Sequence, residues 1–274
     1  MSAQAATAHP TTARSTDIVR QIGVISAVSF MLIAAVVGVG ALGGTPVQDL
    51  QDGALSASGS YLAPATQAFS IWTVIYVLMV AYAVWQALPS QRADARQRVL
   101  GWWIAATAVL NGLWLVSAQF TTLPVTVIVI VLLLVTLGWT LHLAVQNPPH
   151  GVRQALFTDI TVGLHLGWVA LATVANSTAW LTQIAPAEWA QAADAAAIAV
   201  IVVVALVGAG LALASGGRIA PGLAMGWGLV WIGVGRAAGE PASMPIAIAA
   251  WIAAAIVVLV PVIVTAVRFA RNRT

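Results

Sequence analysis

The chain has no cysteine, and only 7% of its residues are charged. The missing cysteine excludes disulfides, thiolate nucleophiles and Cys-based metal sites, and leaves the redox compartment undecided. The shortage of charge excludes an ordinary soluble domain, in which about 25% of residues are charged. The net charge of +3 comes without any basic run interleaved with aromatics, so no nucleic-acid partner is expected. No His-x-x-x-His or His/carboxylate cluster suggests a bound metal. No pair of carboxylates and no Ser/His pair can be assembled within one helix bundle, so no catalytic residue is assigned and an enzyme is not expected. The apolar runs are continuous rather than alternating, which argues against a membrane β-barrel.

What the chain has is length without polarity: 61% of its 274 residues are hydrophobic. A stretch of roughly 20 apolar residues crosses a bilayer as a helix. In hydrocarbon every backbone N–H and C=O must be bonded internally, so the expected fold class is all-α, a polytopic membrane helix bundle in contact with the lipid bilayer. About eight transmembrane helices are expected, near 20–42, 66–88, 99–120, 123–145, 156–181, 192–214, 219–236 and 245–268. Pro89 ends the second, Pro124 opens the fourth, and Asn147-Pro148-Pro149 and Ser215-Gly216-Gly217 close the fourth and sixth. The seventh is short and carries Gly222, Gly226, Gly228, Gly233 and Gly235, and a re-entrant element is its other reading. Gly222 and Gly226 form a small-xxx-small pair that packs helices either within one chain or between two copies in a homodimer.

Residues 1–19 read as a disordered cytoplasmic tail, and the first span as a retained helix, because its apolar run exceeds a signal-peptide core. All eleven basic residues are arginine, and with the N-terminus inside only Arg236 falls outside. Both termini are therefore expected in the cytoplasm. The simplest location is a bacterial inner membrane. The longest outer loop, Gly43 to Ala65, is either a lid over a site or a tolerated insertion. Asp159 with Arg153 nearby, and Arg236 with Glu240, read as structural and surface ion pairs respectively.

Twelve tryptophans exceed what a membrane-interface belt needs. A belt accounts for Trp85, Trp102, Trp103, Trp139, Trp180 and Trp189, which lie near span ends. It does not account for Trp72, Trp114, Trp168 and Trp227. At 1.5 Å per residue, Trp72 and Trp114 both lie roughly 9 Å inside the outer end of their helices. Asn111 is one turn deeper than Trp114, and Trp168, Ala172 and Asn176 form one stripe. Two asparagines at that depth must face the bundle interior. They either orient a ligand or bond across helices as packing.

Three motifs carry a family resemblance. Phe69, Trp72, Tyr76 and Met79 fall on the second span; Leu110, Asn111 and Trp114 on the third; Trp168, Ala172, Thr173, Asn176 and Trp180 on the fifth. Together they resemble the TspO/translocator protein family of tryptophan-rich sensory proteins, in a longer eight-helix bacterial form. The resemblance covers residues 20–182, a five-helix unit, and leaves three further helices and a basic tail in 183–274. It implies a receptor or sensor for hydrophobic or amphipathic ligands, among them the tetrapyrroles haem and protoporphyrin IX, with no resident cofactor. It places Trp72, Asn111, Trp114, Trp168, Ala172 and Asn176 around a pocket beneath the first loop; Tyr76, one turn from Trp72, and His165, three residues before Trp168 on the same stripe, are added as ligand-binding candidates. Departures stand at Thr107, Leu164-His165 and Ala118-Gln119. No Lys or Arg follows Trp180, so the animal sterol motif is not met. A transporter or exporter of a small amphipathic solute is the alternative function, although no inverted repeat is visible. An enzyme acting on lipid or pigment, including porphyrin breakdown, is a third.

Overall fold

The computed structural model describes residues 13–271, and among them no strand occurs. Eight long helices follow one another: α1 Ser15–Gly38, α2 Ile71–Ala87, α3 Ala95–Phe120, α4 Leu123–Gln146, α5 Thr161–Ile184, α6 Ala193–Ala214, α7 Ile219–Ala238 and α8 Met244–Arg271. Each expected span has its helix, and the ends move for local reasons. Residues 1–12 of the expected tail lie outside the described residues, but Ser15 to Val19 are helical rather than disordered. Asp17 accounts for this, accepting the Arg14 backbone N–H at 2.9 Å and pairing with Arg98 at 2.7 Å. α3 begins four residues early because Asp94 caps it, its carboxylate accepting the Gln97 N–H at 2.8 Å. α5 is preceded by a wide π turn, Ala155–Ile160, that carries Asp159.

Seven of the helical segments are long and apolar enough to cross a membrane. α7 is the eighth. It is a continuous helix rather than a re-entrant element, diluted in apolarity by its glycines and by Arg236. The outward faces of the bundle carry exposed Val, Ile and Leu, such as Ile128, Val135, Ile252 and Leu259. Such a surface suits lipid and not water. This is an integral multi-pass membrane protein.

Helices α2, α1, α3, α4 and α5 pack in that order around one core, and α5 returns to α2. α7 docks on the far side of α5, α8 on α7, and α6 on α8. Small residues set these contacts. A Cβ on Gly163 would sit 2.8 Å from Ala220, and one on Gly226 would sit 2.5 Å from Val258. The Gly222/Gly226 pair therefore joins α7 to α8 within one chain.

The two ends of the bundle differ. One carries both described termini and a set of ion pairs. Asp159 does not pair with Arg153 as expected. It binds Arg96 at 2.8 Å and Arg218 more closely, tying the five-helix ring to the start of α7. Burial selects Arg96, which is 4% exposed, while Arg153 stands at the surface. Trp85 is also not a belt residue: it is buried against Phe157, with ring centroids 5.6 Å apart. The opposite end is covered by the loop between α1 and α2.

Candidate functional site

That loop folds over the bundle in short 3-10 turns, Ala41–Gly43, Val47–Asp49 and Gln51–Gly53. Gly53 has φ +77°, a left-handed conformation that glycine adopts without strain. Leu62, 1% exposed, anchors the loop in the core beside Leu171 and Leu229. α7 holds it by hydrogen bonds: Ala65 N–H to the Trp231 carbonyl at 3.1 Å, and Trp227 Nε1 to the Ala68 carbonyl at 2.9 Å. Trp227 is thus a strut, 39% exposed on its other side.

Beneath it lies an apolar cavity. Trp72 of α2, Trp114 of α3 and Trp168 of α5 converge on it, with Ala172 and Asn176 on the α5 stripe. Trp72 meets Trp168 edge-on at 6.1 Å, and Phe69 meets Trp168 in the same way at 5.8 Å. Trp114 Nε1 donates to Asn176 Oδ1 at 3.2 Å, and Asn176 Nδ2 donates to the Ala172 carbonyl at 2.8 Å. The Asn176 carboxamide therefore joins α3 to α5 while lining the wall. The Trp168 indole N–H is buried at this wall and has no hydrogen-bond partner.

Three residues expected at the site lie one turn below it. Tyr76, Asn111 and His165 do not line the cavity; they form a polar layer under its floor. The Asn111 carboxamide sits 3.5 Å from both the Tyr76 hydroxyl and His165 Nε2, long contacts that hold the layer loosely. Tyr76 stacks under Trp72 with centroids 5.2 Å apart, and the His165 ring faces Trp72 edge-on at 6.0 Å. His165 is 1% exposed. His142 is remote: it faces outward on α4, bonded to Gln146 at 3.0 Å.

The motifs did not reveal the rest of the wall. Ala54, Leu55, Ser56, Ala63 and Pro64 of the loop form the roof, and Gly228 and Ile232 of α7 close one side. The one signal for α7 was its run of glycines, which mark close approach. A Cβ on Gly228 would sit 2.5 Å from Leu171 and 3.3 Å from Trp168. The cavity has a volume of about 40 Å³, so side chains and loop fill most of the space between these helices.

A model of the TSPO-like protein family matches residues 23–263. The chain belongs to that family. The match runs through α6, α7 and into α8, so it covers the helix that closes the cavity as well as the five-helix ring. No curated protein and no solved structure matches the chain. Among the described residues of this TSPO-like protein, no group of three His, Asp or Glu is placed to hold a metal ion.

Proposed function

We propose that this TSPO-like protein is a membrane receptor or sensor that binds a hydrophobic or amphipathic small molecule, a tetrapyrrole such as haem or protoporphyrin IX, between α2, α3, α5 and α7. The observation that carries the reading is the convergence of three indoles from three helices on one lidded cavity. Flat apolar ligands stack on such rings, and a few placed polar groups orient them. Trp72, Trp114 and Trp168 supply the faces. The unpartnered Trp168 N–H supplies a donor that an acceptor atom of the ligand satisfies. Tyr76, Asn111 and His165 act one step removed, by setting the position of Trp72. The arginine-rich end faces the cytoplasm of a bacterial inner membrane, by the preference of arginine for that side. The role proposed is binding rather than catalysis.

The test is a protoporphyrin IX titration of purified protein in detergent, followed by tryptophan fluorescence. Saturable quenching in the micromolar range, about −8 kcal/mol, is expected. Trp72→Ala weakens it about tenfold, the loss of one stacking face. Linear quenching that no variant changes means partition into micelles and refutes the reading. Solute flux in proteoliposomes then becomes the next experiment, for an exporter.

A further inference from the structure

Beside the apolar cavity, and sharing Ser56 with it, lies a second, wider and more polar one of about 370 Å³. It opens at the loop end of the bundle, and Arg236 of α7 forms part of its wall. Arg236 is 1% exposed. It donates to the Ser60 carbonyl at 3.1 Å, the Ala57 carbonyl at 2.7 Å and the Glu240 carbonyl at 3.2 Å, and its Nε has no partner. The expected surface pair with Glu240 does not form, because the guanidinium turns inward under the loop and takes backbone oxygens instead. Among the described residues, no carboxylate lies within ion-pairing distance of Arg236. The other deeply buried arginines, Arg20 and Arg96, face Asp17 and Asp159. Asp49 and Glu240 at this cavity are both exposed and solvated, so water screens them. A buried cation without a counter-ion is costly, and an anion that reaches it is bound strongly.

We propose that this cavity is an acid subsite, and that Arg236 binds the carboxylate of an amphipathic ligand whose apolar body occupies the tryptophan cavity. The inference rests on the binding reading above. It also accounts for the small volume of the tryptophan cavity. Ala57 and Ser60 belong to the same loop that roofs the apolar cavity through Ala54, Leu55 and Ser56. A carboxylate that takes Arg236 displaces those two carbonyls and loosens the roof, so the acid end of the ligand opens the room its apolar end needs. An ester of the same molecule has no charge to offer Arg236.

The experiment compares protoporphyrin IX with its dimethyl ester on the wild-type protein, using saturable tryptophan quenching corrected for micelle partition. The diacid is expected to bind at least about tenfold more tightly, the scale of one charge-assisted contact. Arg236→Gln abolishes that preference and Arg236→Lys keeps part of it; the wild-type comparison stands even if a variant does not fold. Equal, saturable affinities for acid and ester overturn the acid subsite and leave the tryptophan cavity standing. No saturable binding of either compound overturns both.

Discussion

Asn176 joins the site to the fold, and replacing it separates the two roles. Its Oδ1 accepts the Trp114 indole N–H at 3.2 Å, and the two residues are 5% and 6% exposed. Asn176→Ala leaves a buried N–H with no acceptor, which costs about 1–3 kcal/mol in proteins at large. Between membrane helices such bonds average about 0.6 kcal/mol and reach about 1.7. A loss of about 1–2 kcal/mol is therefore expected. Trp114→Phe removes the donor, keeps an aromatic face and costs a similar amount. Once the bond is gone its second partner adds little, so the double variant should fall short of the sum by about 1 kcal/mol. The assay is unfolding in mixed micelles with increasing SDS, followed by far-UV circular dichroism so that the loss of an indole does not change the probe. Porphyrin affinity, measured in parallel, should fall in both single variants, because Asn176→Ala frees the Trp114 ring and Trp114→Phe offers the ligand a smaller one. Costs that add to within about 0.3 kcal/mol would refute the bond. A loss of affinity in Asn176→Ala without any loss of stability would show that the carboxamide serves the ligand alone.

Other perturbations address the cavity and the joint between the five-helix ring and the start of α7. Ala172→Leu fills the space between Trp72, Trp114 and Trp168, and is expected to abolish saturable porphyrin quenching while circular dichroism stays unchanged. Asp159→Asn leaves Arg96, 4% exposed, without its charge partner and weakens the link to Arg218. Its expected cost is about 3–5 kcal/mol, read in the same SDS titration, whereas Arg153→Gln is expected to change nothing measurable.

Most of the fold was legible because a bilayer imposes local rules. A window of some twenty apolar residues is a helix wherever it lies in the chain, and prolines and glycines mark its ends. All eight helices therefore fall where the runs predict. The errors were polar and short-range: a carboxylate at Asp17 or Asp94 extends a helix start by a few residues, which hydropathy does not sense. In the site, Trp72, Trp114, Trp168, Ala172 and Asn176 were legible from their depth and their helical spacing. Tyr76, Asn111 and His165 share the inward faces but lie one turn deeper, where helical spacing already put Asn111; a stripe along a helix gives a face and not the level at which the cavity stops.

The amino-acid sequence by itself determined the solvent, the number of helices, their alternation and the stripes that face inward, since each depends on residues a few positions apart. Only the tertiary structure decided which helices are neighbours. α7 packs on α5, α8 on α7 and α6 on α8, an order unlike that of the chain. That order turns Gly228 and Ile232 into cavity wall, brings Asp159 to Arg96 and Arg218, and slides Arg236 beneath Ala57 and Ser60. In a membrane all the helices share one apolar exterior, so hydropathy cannot rank one neighbour above another. Close packing of small residues and a few buried polar bonds make that choice.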